Sequence, residues 1–221
     1  MKQIRFNIYY DGKFSYSFGY YIYSAFLESI DKGLAEKLHN DGLFTQYITP
    51  KEWVVNTTED LDFSESYFLS KFNIDIKLGD RKEETISEQE MANMFLIKKQ
   101  PKRNIKLRFL TPTTFKKDGE YVMYPTSDLI MQSLTNKWNM WAKDFVLEDM
   151  EWNECKISKY NLRSQIFQLK GVKIQGFVGE VELYFWGSES IIRLGNMVCT
   201  FANYSGTGIK AALGMGGTII E

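Results

Sequence analysis

The chain has 221 residues, 44% hydrophobic and 25% charged, with four prolines; this suits one large globular domain or two of about 100 residues and excludes a disordered or fibrous polymer. No window approaches the roughly 18 uninterrupted apolar residues of a membrane span, and the first residues alternate where a signal peptide would carry an apolar block, so a cytoplasmic protein with no membrane partner is expected. Two cysteines, Cys155 and Cys199, and one histidine, His39, cannot build an ordinary Cys/His zinc site, and neither metal nor cofactor is expected.

The net charge of −1 hides a division along the chain. Residues 1–97 hold 10 Lys/Arg against 16 Asp/Glu, whereas residues 98–221 hold 17 against 12. In the basic half, Lys98, Lys99, Lys102, Arg103, Lys106, Arg108, Lys116 and Lys117 follow one another with no acid between them. Lys156, Lys159, Arg163, Lys170 and Lys173 form a second acid-free run. Such runs suit either solvated strand faces or contacts to a phosphate backbone, and charge alone does not choose.

The first ten residues alternate, with Ile4, Phe6, Ile8 and Tyr10 on one face, which predicts a half-buried strand. From Tyr20 the spacing becomes helical, with Ile22, Phe26, Leu27 and Ile30 on one stripe before Asp31-Lys32-Gly33. A short second helix carries Leu34 and Leu38 and ends around His39, with Asn40-Asp41-Gly42 as its stop signal. Strands are expected over residues 52–56 and 66–72, joined by the acidic turn Glu59-Asp60-Leu61-Asp62. Ser87-Glu88-Gln89-Glu90 reads as a capping box opening a helix to Leu96, and Ile105, Leu107 and Phe109 as a fourth strand. This β-α-β-β-α-β order is the ferredoxin-like (RRM-like) plan and occupies residues 1–110.

Thr111-Pro112-Thr113 marks the start of a second domain, residues 111–221. Asp118-Gly119 predicts a two-residue hairpin turn. Residues 127–141 read as a helix with Leu129, Ile130, Leu134, Trp138 and Trp141 buried, started by Pro125-Thr126-Ser127. Two long alternating strands over residues 156–169 and 172–186, a helix over 188–201, a glycine-rich loop and a short last strand complete the chain. The expected fold class is therefore α+β: two tandem ferredoxin-like domains with antiparallel sheets and no detectable sequence repetition between them.

The segment Tyr204-Ser205-Gly206-Thr207-Gly208-Ile209-Lys210-Ala211-Ala212-Leu213-Gly214-Met215-Gly216-Gly217 holds five of the sixteen glycines. Such a density lets backbone N–H groups turn toward an anion, with Lys210 adding charge, so Gly206, Gly208, Lys210, Gly214 and Gly216 are candidate phosphate contacts. The alternative is a turn that only connects the last helix to the last strand. A nucleotide P-loop does not fit, because the spacing is wrong and Ala211 follows Lys210 where Ser or Thr is needed.

This loop resembles the C-terminal signature of the repeat-associated mysterious protein superfamily of CRISPR systems. Tyr23-Ser24-Ala25-Phe26, Leu34-Ala35-Glu36-Lys37-Leu38-His39, Leu43-Phe44-Thr45, Thr111-Pro112-Thr113-Thr114-Phe115 and Phe201-Ala202-Asn203-Tyr204-Ser205-Gly206 are similar, in order, to the CRISPR repeat-cleaving endoribonucleases across nearly the whole chain. The resemblance implies a metal-independent endoribonuclease that binds CRISPR precursor RNA and cuts within each repeat by attack of the 2′-hydroxyl beside the scissile phosphate. It aligns His39 with the family's catalytic histidine and Tyr23 with a tyrosine that assists it. It leaves the family's lysine unmatched, since Asn40-Asp41-Gly42 stands where some members carry one; Lys37, Lys51 and Lys210 are the candidates to replace it. Lys159 and Arg163 of the second basic run are expected to bind RNA, and Tyr160 is a candidate for stacking on a base. Besides repeat RNA, the family admits other CRISPR interference proteins and a second copy of the chain as partners, and the sequence chooses neither. A relative that binds repeat RNA without cutting it, or a small-nucleotide-binding domain, are the alternative functions.

Overall fold

The computed structural model describes every residue except Asp41 and Asp149; Asp41 of the expected helix stop therefore lies outside the described residues. Strand β1 (Lys2–Tyr9) buries Ile4, Phe6 and Ile8 on one face, as its alternation predicts. Helix α1 (Phe18–Ser29) lays Phe18, Ile22, Tyr23 and Phe26 against that face. Phe26 is fully buried among the rings of Phe44, Trp53, Phe63 and Tyr67, and each side chain of this size contributes about 1.5–3 kcal/mol on burial. Helix α2 (Lys32–Asn40) is begun by Asp31, whose carboxylate accepts from the Gly33 and Leu34 N–H groups. Buried Leu38 and half-buried Leu34 hold α2 on the same core.

Strands β2 (Thr45–Ile48), β3 (Glu52–Thr57), β4 (Ser66–Leu69) and β5 (Ile74–Thr85) complete an antiparallel sheet in the order β2-β3-β1-β5-β4. Two of these strands are absent from the sequence reading, and the expected strand at 66–72 ends at Leu69. Strand β2 is buried at all four positions and so shows no alternation. The outer half of β5 is charged and exposed and shows no apolar alternation, although it pairs with β1 from Lys2↔Thr85 to Phe6↔Arg81.

Ser87 forms the expected capping box with Glu90 and opens α3 (Glu88–Ala92), which passes into a wider π-type turn over Asn93–Lys98. Met91 and Phe95 of this segment pack in a second core. Strand β6 (Asn104–Thr113) likewise belongs to the second sheet, between β10 and β11. The expectation that Ile105, Leu107 and Phe109 close the first sheet is thus corrected: the strand pairs with β10 and β11, and all three side chains pack in the second core with Met91 and Phe95.

The hairpin β7 (Phe115–Lys117) and β8 (Glu120–Val122) turns at Asp118 and Gly119, both at positive φ. Helix α4 (Ser127–Trp141) is capped by Thr126, and α5 (Glu189–Ser205) by Ser188. Both cover the sheet of β11 (Thr218–Ile220), β6, β10 (Val172–Phe185) and β9 (Cys155–Leu169), in that order. The fold is α+β with two antiparallel sheets, each backed by helices. Strand β9 forms one free edge of the second sheet. Among the described residues no helix is long and apolar enough to cross a membrane.

Candidate active site and nucleic-acid surface

His39 sits on the exposed last turn of α2. The chain beyond it enters edge strand β2, which the glycine-rich loop clasps from both faces. On one face Thr45 Oγ1 donates to the Tyr204 carbonyl at 2.9 Å and Asn56 Nδ2 donates to Thr45 Oγ1. On the other, Gln46 Nε2 donates to the carbonyls of Ala212 and Gly19, while Trp53 Nε1 donates to Gln46 Oε1. An uncovered edge strand invites pairing with other chains, and here the loop covers it.

That role explains the glycines, and it corrects the expectation that their N–H groups face an anion. Gly206, Gly208, Gly214 and Gly216 are buried. Their N–H groups donate inside the protein, to Ala202 O, Ser133 Oγ, Ala211 O and Pro112 O respectively. The Gly217 N–H goes to Thr111 Oγ1. Gly216 has φ +71°, and a side chain there would collide with the Thr207 carbonyl; a Cβ on Gly214 would lie 2.9 Å from the Gly19 Cα of α1. The density of glycine serves backbone-to-backbone approach, while half-buried Lys210, in the left-handed conformation at φ 58°, remains as the loop's cation.

Tyr23 lies within the first core, its ring stacked on Phe44 at 5.2 Å between centroids. Its hydroxyl is buried, has no hydrogen-bond partner among the described residues, and is held above the ordinary phenol pKa by burial. Tyr20 and Tyr21 instead line a cleft of about 650 Å³ between α1, the β4–β5 turn and the tip of the β9–β10 hairpin, together with Ser24, Lys71 and Lys170.

Of the lysines considered to complete the site, Lys37 pairs with Glu59 at 2.8 Å, and Lys51 lies on the β2–β3 turn, at the end of that hairpin opposite Thr45. The structure adds one that sequence reasoning passed over. Lys137 Nζ on α4 donates to the Ser205 carbonyl at 2.9 Å, beside the Tyr204 carbonyl that Thr45 uses. Burial lowers its pKa to about 7. One turn further along α4, Met140 lies against Gly42, three residues beyond His39. The signal was present in the spacing, since position 137 falls three after Leu134 and four before Trp141, on the apolar stripe itself.

Lys159 and Arg163 lie exposed on edge strand β9, not with His39 and Tyr23. Ion pairing among the described residues of the basic runs is confined to two residues of the first. Lys106 and Arg108 of the first are neutralised by Glu180 and Glu221 at 2.5–2.8 Å. Among the described residues, Lys159, Arg163, Lys170 and Lys173 of the second form no ion pair.

The sequence profile of "CRISPR-associated endoribonuclease Cas6" matches residues 107–218. The chain belongs to the Cas6 family. It is 28% identical to the CRISPR-associated endoribonuclease Cas6 of Streptococcus thermophilus over 88% of each chain. It is 25% identical to that of Mycobacterium tuberculosis over 92% of this chain and 71% of the relative. Among solved structures, a Cas6 product complex superposes with a TM-score of 0.78 at 21% identity, covering 100% of this chain and 99% of the other. Thermus thermophilus Cas6 superposes at 0.73 and 22% identity, covering 100% and 98%. These Cas6 structures share the tandem ferredoxin-like fold described above.

Proposed function

We propose that this Cas6-family chain cleaves CRISPR precursor RNA within its repeats without a bound metal ion. In this reading the 2′-hydroxyl oxygen beside the scissile phosphate bonds to phosphorus while the bond from phosphorus to the 5′ oxygen breaks, leaving a 2′,3′-cyclic phosphate and a 5′-hydroxyl. A base removes the 2′ proton, an acid supplies one to the departing 5′ oxygen, and cations stabilise the extra charge on the phosphoryl oxygens.

The observation that carries the reading is His39, the chain's single imidazole, exposed at the end of α2 and followed directly by the strand that the family's glycine-rich loop clasps. An imidazole nitrogen can accept a proton and an imidazolium can donate one, so His39 performs one of the two transfers. Lys210 supplies charge from the loop. Tyr23 supports the site through its ring rather than its enclosed hydroxyl, by holding Phe44 next to the chain that leaves His39. Exposed Lys159 and Arg163, which form no ion pair among the described residues, bind the RNA backbone along β9.

The test is cleavage of repeat RNA in EDTA, with the product ends determined. The reading predicts a discrete cut giving a cyclic phosphate that phosphatase does not remove and a 5′ end that a kinase labels directly. A 5′-phosphate product, or a cut abolished by EDTA and restored by magnesium, would overturn it.

A further inference from the structure

A cleft of about 490 Å³ opens on the helix-side face of the second sheet, where edge strand β9 runs past the end of the β7–β8 hairpin. Its walls are Leu162 and buried Phe177, and its rim carries Tyr124, Tyr160, Arg163 and Ser164. Tyr124 is 66% exposed and Tyr160 70%. Two aromatic rings left in water on one cleft call for a ligand that covers them, because an aromatic side chain gains most when it is buried. The cleft's size falls in the range of small-ligand sites, about 300–1,000 Å³.

The surroundings select the ligand. Arg163 lines the cleft and forms no ion pair among the described residues, so the cleft has a cation of its own, while Lys159 lies on the opposite face of the sheet beside Glu180 and Glu182. Its floor is apolar, while the Arg163 guanidinium and Ser164 hydroxyl can meet a polar rim. A flat apolar face, a polar edge and an attached anion together describe a nucleotide of single-stranded RNA. A base held in a duplex offers no face to this cleft.

We propose that this cleft holds one unpaired base of the RNA substrate, stacked against Tyr160 and Tyr124, with Arg163 and Ser164 at its edge. The inference rests on the RNA-binding reading above. It makes this face of the second half the place where the protein distinguishes unpaired from paired RNA.

The test compares binding of two RNAs of equal length, one with an unpaired segment beside a stem and one fully paired, to the full chain and to Tyr160→Ala, Tyr124→Ala, Tyr160→Phe and Lys159→Ala. Stacking is worth about 1–3 kcal/mol per base, roughly 5- to 150-fold. Each alanine variant at tyrosine is expected to lose affinity of this order for the unpaired RNA and little for the duplex, with an unchanged salt dependence, and Tyr160→Phe to retain binding. Lys159→Ala is expected to lower affinity for both RNAs and to flatten the salt dependence. Equal losses on both RNAs, or none, in the tyrosine variants would overturn the base pocket while leaving RNA binding intact. A wild-type chain that binds neither RNA would overturn both readings.

Discussion

Lys137 Nζ donates to the carbonyl oxygen of Ser205 at 2.9 Å, so a cation on the buried stripe of α4 meets the C-terminal end of α5. A positive group at a helix C-terminus is favourable, but burial lowers this amine's pKa to about 7 from the ordinary 10.5. Between those values the unfolded chain binds more protons than the folded one, so this group makes stability rise with pH across that window. Denaturation midpoints of the wild type and Lys137→Met should therefore diverge in favour of the wild type from pH 7 toward 10.5. A difference independent of pH would show that the amine titrates normally.

Tyr23 gives a second prediction. Its hydroxyl is buried without a partner among the described residues, and an unsatisfied buried polar group costs about 1–3 kcal/mol. Tyr23→Phe should leave RNA cleavage intact and raise the melting temperature or leave it unchanged. Tyr23→Ala, which removes the ring stacked on Phe44, should cost about 3–5 kcal/mol. A large loss of the cleavage step in Tyr23→Phe, with folding intact, would return a direct chemical role to the hydroxyl.

What was legible in the sequence follows from where each element's signal lies. Helix α4 is bounded as its caps and stripe predict, and β9 and β10 appear where long alternation marks them. Strand β2 escaped because burial on both faces erases alternation, and the outer part of β5 escaped because its Asp, Arg, Lys and Glu side chains face solvent while only its backbone pairs. The partnership of β6 is set by contacts distant in sequence, which no local pattern encodes. At the candidate site, His39 and the clasping loop were visible as motifs. The loop's purpose was not, because glycine marks both ligand approach and backbone approach, and only the hydrogen-bond partners distinguish them.

The clasp itself can be broken. Gly216 combines φ +71° with a Cβ position that collides with the Thr207 carbonyl, whereas Gly119 has φ +87° and open space around it. Gly216→Ala should lower stability by clearly more than Gly119→Ala, which costs about 1 kcal/mol from backbone strain alone. Thermal denaturation of the two variants decides this, and equal losses would show that the loop yields without resistance.

The difference in pairing between Arg163 and Arg108 predicts different salt behaviour. Arg163→Ala removes a cation without an acidic partner and should reduce the salt slope of RNA binding by about 0.7 for a lost single-strand phosphate contact. Arg108→Ala removes one already held by Glu180 and Glu221 and should change the slope much less. Binding titrations over a salt series measure both, and equal changes would show that the ion pairs of Arg108 do not withhold it from the RNA.

The central claim is that His39 transfers a proton in the cleavage step, and single-turnover cleavage of repeat RNA by wild type and His39→Ala tests it most directly, with RNA affinity measured on the same samples. A loss of about 10²–10⁴-fold in the cleavage rate with affinity nearly unchanged is expected. Cleavage by His39→Ala at the wild-type rate would contradict it, and RNA bound but uncut by the wild type would assign the chain a binding role instead.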